Sequence, residues 1–212
     1  MDLFSILDMG GIDLLLSRDL ASEIKKGLDA DTLSKIERDL FFQHGMSIKL
    51  SIEHFEKLHD VIKDHSNIDI KNFEKTCLQK IVQIFRSDNH YEIDIISPSL
   101  SEIVFNYFGD MESRKILLSI MNEPLTVPEI LSKSGILKSP AYRKIENLLL
   151  DGIILESGKI MTNNKRVSQY QCIFDQVNLV MENGVYRIKA LVDSKYFKES
   201  SMYNFGLLEP EN

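Results

Sequence analysis

The chain has 212 residues, of which 43% are hydrophobic, so it is long enough for one large or two small domains with substantial cores. Its formal net charge is -7, and no stretch approaches the roughly 20 apolar residues that a membrane span needs. Cys77 and Cys172 are too few for a disulfide scaffold, and no secretion signal is evident. We therefore expect a soluble globular protein of the cytoplasm.

Residues 1–97 predict a helical domain that regulates the protein or holds its copies together. Apolar residues recur at helical spacing in four segments, of which the last runs from Ile70 to Phe85. Tyr91 to Ile96 alternates as a brief strand does, and Ser97-Pro98-Ser99 then breaks the pattern. We expect a domain boundary there. The predicted parts are a helical domain at 1–97, a second domain at 98–193 and a flexible tail at 194–212.

A helix-turn-helix is predicted in the second domain, after a scaffold helix at Glu112–Met121. Its first helix carries apolar residues at helical spacing, and Gly135 lets the chain leave that helix. The second helix follows at once, because Ser139 is a suitable N-cap and Pro140 a suitable first helical residue. The residues expected to face inward are Ala141, Ile145, Leu148 and Leu149.

The outward face of the second helix is the candidate binding surface. It is predicted to carry Tyr142, Arg143, Lys144, Glu146 and Asn147. Such groups reach phosphates and base edges when a helix lies in the major groove of DNA. We expect Ser139 and Lys144 to bind phosphates, and Tyr142, Arg143 and Asn147 to lie nearest the base edges.

A basic β-hairpin is predicted directly after this helix. The helix ends at Asp151-Gly152, and Ile153-Ile154-Leu155 starts a short apolar strand. Asn163-Asn164-Lys165-Arg166 forms a polar turn with two adjacent cations, and Val167–Phe174 returns as the second strand. The hairpin would be the wing of a winged helix-turn-helix. Its predicted contacts with the DNA backbone are Lys159, Lys165 and Arg166.

A second hairpin is predicted after the wing, because Val177–Met181 and Val185–Val192 flank Glu182-Asn183-Gly184. Asn-Gly between alternating segments is a strong hairpin signal. The expected fold class is therefore mainly α (α+β), with an N-terminal helical domain followed by a winged helix-turn-helix and C-terminal β-hairpins.

The charge of the second domain favours a protein that acts as a homodimer. Residues 99–174 hold nine Lys and Arg against eight Asp and Glu, a net charge of +1. Attraction to DNA is driven by cations that release counterions, so one such domain should bind weakly. Two copies that act together would bind more tightly.

Residues 104–174 resemble the winged-helix transcriptional regulators of the ArsR-like superfamily, especially the archaeal ones. The likeness is carried by Ser139-Pro140-Ala141-Tyr142-Arg143-Lys144-Ile145 and by Gly152-Ile153-Ile154. The resemblance implies a homodimer that binds double-stranded DNA with the helix that begins at the first of these motifs. Residues 29–64 also look like a small helical output domain of archaeal signalling and regulatory proteins, a possible contact with the transcription machinery. No cysteine lies in Ser139–Asp151, so regulation by a metal through that helix is not implied.

Catalysis is the first competing interpretation, and the sequence offers no set of residues for it. It contains no Gly-rich phosphate loop, HExxH, GxSxG or CxxC motif. The five histidines do not assemble into a ligand set, since His54 and His59 point in different directions on a helix. We expect no enzyme activity, no cofactor and no metal site.

A protein-interaction module is the second competing interpretation. Helix-turn-helix outlines also occur in protein-only contacts, and a basic hairpin tip is often an ordinary solvated turn. The two pairs of cations, Arg143-Lys144 and Lys165-Arg166, favour DNA, because an interaction module has no particular need to place them side by side. The alternative function is a winged-helix module that docks on other proteins in a signalling or transcription complex without reading DNA.

Overall fold

A computed structural model describes residues 11–87, 89–162, 164–204 and 206. It is 58% helical and 25% strand, with two antiparallel sheets, and is thus a mixed α+β fold. The predicted class, mainly α with a helical N-terminal domain before a winged helix-turn-helix, is therefore wrong. The finding that overturns it is a four-stranded sheet that joins two strands within residues 82–95 to two strands within residues 174–193.

Helices form the first part of the described chain, and α1 lies at their centre. Asp29 caps α2, since its carboxylate accepts a hydrogen bond from the N–H of Thr32 at 2.9 Å. Helix α1 contacts α3 and α5 and also later helices, so its apolar residues are buried on nearly every side. The helices are α1 Gly11–Gly27, α2 Ala30–His44, α3 Ile48–Ser51, α4 Phe55–His65 and α5 Ile70–Gln79, with a 3-10 turn at Ile52–His54.

The first two strands, β1 Val82–Ser87 and β2 His90–Ile95, pair antiparallel directly after α5. The helix predicted at 70–85 therefore ends early. Val82 and Ile84 are buried and alternate with the exposed Gln83, which is the period of a strand. Because Ile81 and Ile84 also fit a helical period, the sequence of this short apolar run does not separate the two structures.

Residues 111–172 form a unit of three helices and a three-stranded antiparallel sheet, here called the helix-turn-helix unit. A further helix, α6 Pro98–Gly109, precedes it. In the small sheet the strand order is β3-β5-β4. The elements of the unit are α7 Met111–Ser119, β3 Leu125–Thr126, α8 Val127–Ser134, α9 Lys138–Leu150, β4 Ile154–Thr162 and β5 Lys165–Cys172.

The larger sheet has the order β1-β2-β7-β6, in which β6 is Phe174–Glu182 and β7 is Val185–Asp193. The hairpin expected after the wing thus lies in a different sheet from the wing itself. β1 and β2 come from the first predicted domain, β6 and β7 from the second, and one continuous hydrophobic core runs through both.

The start of α1 touches the turn that follows α9. Gly152 has φ +70, and a Cβ placed on it would lie 2.5 Å from the carbonyl oxygen of Gly11 and closer still to the N of Leu15. Only a residue without a side chain fits such an approach of two backbones. The helical part and the helix-turn-helix unit are therefore in direct main-chain contact.

The prediction of a flexible tail at 194–212 is wrong for residues 194–204. These residues form α10 Ser194–Lys198 and α11 Ser201–Asn204. Phe197 is fully buried and stacks on Tyr91 with 3.9 Å between ring centroids. The carboxylate of Asp13 in α1 accepts hydrogen bonds from the hydroxyl of Ser200 and from the N–H of Ser201, the latter at 2.7 Å. Such anchors are distant in sequence and leave no periodic pattern. Residues 205 and 207–212 lie outside the described part.

No helix in the ranges 11–87, 89–162 and 164–204 combines the length and apolar character needed to cross a membrane.

Candidate nucleic-acid interface

Helix α8 is fixed at both ends, and this sets the direction of the chain into α9. Thr126 and Glu129 form a capping box, in which the Glu129 carboxylate accepts a hydrogen bond from the N–H of Thr126 at 2.8 Å. Gly135 ends the helix in the left-handed conformation with φ 68. Two residues later the backbone enters α9, so the two helices are joined by a tight turn.

Helix α9 begins two residues earlier than the sequence predicts. Its N-cap is Leu137, whose side chain makes no capping hydrogen bond, and Ser139 and Pro140 lie in the first turn. The N-cap prediction for Ser139 is therefore wrong. Pro140 is tolerated at this place because the first-turn N–H groups have no partner within the helix. The hydroxyl of Ser139 remains exposed at the start of the helix.

The outward face of α9 carries the side chains that the sequence placed there. Ser139, Tyr142, Arg143 and Asn147 are exposed, with Tyr142 at 47% of its full surface. Arg143 and Asn147 are four residues apart and so lie about 40° from each other around the helix axis. Glu146 is also exposed, about 60° from Arg143 on the side away from Asn147, and it lowers the positive charge of this surface. On the opposite face of the helix, the buried residues are Ala141, Ile145 and Leu148.

Lys144 has a partner within the protein. Its ammonium lies 2.6 Å from the carboxylate of Asp110 and 3.6 Å from that of Glu112, and only 20% of its side chain is exposed. Asp110 is also the N-cap of α7. The expected phosphate contact of Lys144 is corrected accordingly: its charge is already neutralised by carboxylates at the start of α7.

The ion pair between Lys144 and Asp110 should contribute to the stability of the fold. The Lys144 ammonium and the first-turn N–H of Ser113 lower the pKa of Asp110 to about 2. A lowered carboxyl pKa stabilises the fold above the usual value near 4, and this stabilisation is lost as the pH falls towards 2. We expect Lys144→Gln to lower the free energy of unfolding by about 0.5 to 1 kcal/mol at pH 7, since the pair is partly screened by solvent.

Lys165→Gln is the matched control for that measurement, because Lys165 is exposed on the hairpin and has no ion-pair partner among the described residues. Urea denaturation at pH 7 and at pH 2.5 compares the two variants with the unchanged protein. The loss in the free energy of unfolding caused by Lys144→Gln should be smaller at pH 2.5 than at pH 7, because part of the stabilisation from the ion pair is already lost at that pH. An equal loss in both variants at pH 7 would contradict the structural role of Lys144.

Lys138 is a candidate residue that the sequence analysis missed. Its ammonium lies 5.9 Å from the centroid of the Tyr142 ring, a cation–π geometry at the start of α9. The assignment of Ser139 as N-cap had placed Lys138 outside the helix. Tyr142 also lies near Tyr170 of β5, whose pKa is raised chiefly by burial and further by Glu156 and Tyr142. Tyr142 therefore sits between the start of α9 and the base of the hairpin.

The hairpin β4-β5 divides its cations between two faces. Met161 pairs with Arg166 and Thr162 pairs with Lys165, so the two adjacent cations point to opposite sides. Lys159 shares a face with Met161 and Arg166, and its ammonium lies 3.3 Å from the carboxylate of Glu156. Lys165 and Arg166 are both exposed but do not form one cluster.

The helix-turn-helix unit has a positive net charge, whereas the chain as a whole is acidic. Residues 111–172 hold nine Lys and Arg against six Asp and Glu, a net charge of +3 in a chain whose total is -7. Three of those acidic residues, Glu112, Glu123 and Glu156, are already paired with lysines of the unit. Unpaired cations thus remain on the outward face of α9 and on the hairpin.

Comparison of the chain with protein-family models, with curated proteins and with solved structures gives no match. The resemblance of residues 104–174 to ArsR-like regulators therefore stays a prediction. What the helix-turn-helix unit does is inferred from its own geometry and charge.

Proposed function

We propose that this protein is a sequence-specific regulator of transcription in the cytoplasm that binds double-stranded DNA as a homodimer, with α9 in the major groove. The observation that carries the proposal is the outward face of α9. Tyr142, Arg143 and Asn147 are exposed there, and Arg143 has no hydrogen-bond or ion-pair partner among the described residues. A free guanidinium on an exposed helix leaves its donors available for a ligand.

The chemistry of these three side chains fits base edges. The major groove is about 12 Å wide and admits one α-helix. Arginine donates two hydrogen bonds to guanine, and asparagine pairs in the same bidentate way with adenine. With α9 in the groove, the exposed first turn with Lys138 and Ser139 would lie against phosphates.

The hairpin supplies the second part of the surface. Arg166 and Lys165 point to opposite faces of a two-stranded ribbon. A ribbon with a cation on each side can contact the backbone on both of its flanks, which adds affinity without sequence preference. The net charge of +3 on the unit remains modest, so two units in one dimer would provide the attraction that one does not.

The test separates residues that read bases from residues that hold the backbone. Selection from a random duplex library with the full chain yields a preferred site, and affinity is then measured on that site and on random DNA. Arg143→Ala should reduce the preference for the site by about 1 to 3 kcal/mol, roughly 5- to 150-fold. Lys165→Ala should weaken both DNAs alike and reduce the salt slope by about one unit.

Arg18→Ala is the matched control, because Arg18 is an exposed arginine on α1, outside the unit. It removes the same charge and should leave both affinities unchanged. Equal losses on the preferred site and on random DNA from Arg143→Ala would contradict the reading role of Arg143. No selected site at all would contradict the whole proposal.

One observation favours docking on another protein instead. Leu137 is 80% exposed at the start of α9, and Leu150 and Met161 are exposed near its end and on the hairpin. Exposed apolar residues around a polar patch are typical of protein interfaces. Affinity for duplex DNA that falls with salt, with a slope of about -0.9 per phosphate in log–log form, supports DNA binding. A flat response would favour the protein partner.

A further inference from the structure

Strand β6 is the outer strand of the four-stranded sheet. In the order β1-β2-β7-β6, one edge of β6 pairs with β7, and no described strand lies along its other edge. The backbone N–H and C=O groups of such an edge are available to another strand. An edge of this kind is a binding surface unless it is protected.

The hairpin of β6 and β7 also extends past the rest of the sheet. β2 pairs with β7 only as far as Ile188, so the hairpin beyond Ile188 has two strands. One side of this two-stranded part is supported by α6, because Tyr186 stacks on Phe105 with ring centroids 4.9 Å apart. Two strands alone are marginally stable in water. The apolar residues that this arm leaves exposed are Leu179, Val180, Met181 and Val185.

Natural edge strands are protected by shortness or by charges along the edge. β6 is long, and its two charged residues, Asp175 and Glu182, lie only at its ends. β1, at the opposite edge of the sheet, has six residues and carries the exposed Arg86. β6 has nine residues, and its sequence from 176 to 181, QVNLVM, contains no charged residue. The two edges of one sheet therefore differ in the feature that prevents association.

The sequence of β6 is complementary to itself in the antiparallel direction. When the strand is paired with its own copy about Leu179, Val177 lies opposite Met181 and Asn178 lies opposite Val180. No two like charges face each other between residues 176 and 180, and the apolar side chains at 177, 179 and 181 share one face. A twofold axis perpendicular to the sheet produces this pairing, and interfaces of that symmetry are the commonest in oligomers.

We propose that β6 pairs antiparallel with β6 of a second copy of this chain, with the twofold axis at Leu179, to form one eight-stranded sheet. This inference names the surface of the homodimer that the proposed function invokes, and it rests on the homodimer part of that proposal. The interface brings Leu179, Val180 and Met181 beside side chains of the second copy and satisfies the free backbone edge. It does not use α9 or the β4-β5 hairpin, neither of which is part of the larger sheet.

The test uses the full chain and the central position of the pairing. Light scattering after size exclusion should give a dimer for the unchanged protein. Leu179→Lys places two like charges opposite each other and should raise the dimer dissociation constant at least about tenfold. Leu179→Glu should do the same. An equimolar mixture of the two variants should recover a dimer, because opposite charges then meet at the axis.

A matched control keeps the result specific to β6. Met181→Lys should weaken the dimer, whereas Met111→Lys should leave it intact, since Met111 is on α7 and is 59% exposed against 63% for Met181. Circular dichroism of each variant shows that the fold is retained. An unchanged protein that is monomeric at all concentrations, or folded Leu179 variants that stay dimeric, would overturn the proposal.

DNA binding separates this result from the proposed function. If the Leu179 variants are monomeric and the unchanged protein binds no DNA, the β6 interface stands and the DNA-binding role fails. If they stay dimeric while the selected DNA site is bound with unchanged affinity, the DNA-binding role stands and the β6 interface is overturned.

Discussion

Gly152→Ala is expected to lower the free energy of unfolding by about 3 to 5 kcal/mol, the left-handed backbone and the overpacking both contributing. Gly152 has φ +70, where a residue with a Cβ is strained. The added methyl would also meet the carbonyl oxygen of Gly11 at 2.5 Å and the backbone of Leu15. Backbone atoms cannot rotate away as a flexible side chain does, so the turn and α1 must separate.

Gly135→Ala isolates the first of these two contributions, the left-handed backbone. Gly135 also has a positive φ, +68, but a Cβ there would meet no atom within 4 Å. It should cost only about 1 to 2 kcal/mol, the cost of the left-handed conformation. Urea denaturation at pH 7 compares the two variants. Equal losses would show that the approach of Gly152 to α1 is looser than the structure has it.

Glu74→Gln is expected to raise the free energy of unfolding by about 2 to 3 kcal/mol at pH 9 and to change it little at pH 4.5. Glu74 is fully buried on α5, and burial raises the pKa of its carboxyl to about 8. One of its oxygens lies 3.2 Å from Nδ1 of His59 on α4, and the other has no hydrogen-bond partner. Glutamine has nearly the same shape and no charge to bury.

The direction of this pH dependence follows from proton binding to Glu74. Between the usual glutamate pKa near 4.5 and about 8, the folded protein holds a proton on Glu74 that the unfolded chain releases. Stability contributed by this group is therefore present at low pH and is lost as the pH rises through about 8. Burial also lowers the pKa of His59, which acts in the opposite direction as the pH falls below the usual histidine value.

Both proteins contain His59, so comparing the variant with the unchanged protein removes the part of the pH dependence that His59 contributes independently of Glu74. Glu56→Gln serves as control, because Glu56 is an exposed carboxylate on α4. Chemical denaturation across pH 4.5 to 9 should give a growing advantage for Glu74→Gln and a constant small difference for Glu56→Gln. A Glu74→Gln curve parallel to that of the unchanged protein would contradict a buried carboxyl with a raised pKa.

The helix-turn-helix unit shows what a sequence pattern can establish. Spacings of three and four residues placed Ala141, Ile145 and Leu148 inward and Tyr142 and Arg143 outward, because one helix face was apolar. Local signals of this kind depend on residues within a turn or two of one another.

The residues that were placed wrongly depend on distant partners. Lys144 binds Asp110, which is 34 residues away. β1 is a strand because β2 lies beside it and β7 lies on the far side of β2, about 100 residues later in the chain. α10 and α11 are ordered by Asp13 and by the stacking of Phe197 on Tyr91. Periodicity carries no information about such contacts, so the mixed α+β fold did not follow from it.

The contact between Gly11 and Gly152 has a consequence for control of the molecule. No side chain separates these two backbones, and the second of them is the pivot at which α9 gives way to β4. A ligand or protein that shifts α1 along its axis would therefore press directly on the main chain of the turn between α9 and β4. The side chains of Leu14, Leu155 and Ile173 pack around the same contact, so the shift would reach α9 through main chain and side chains together.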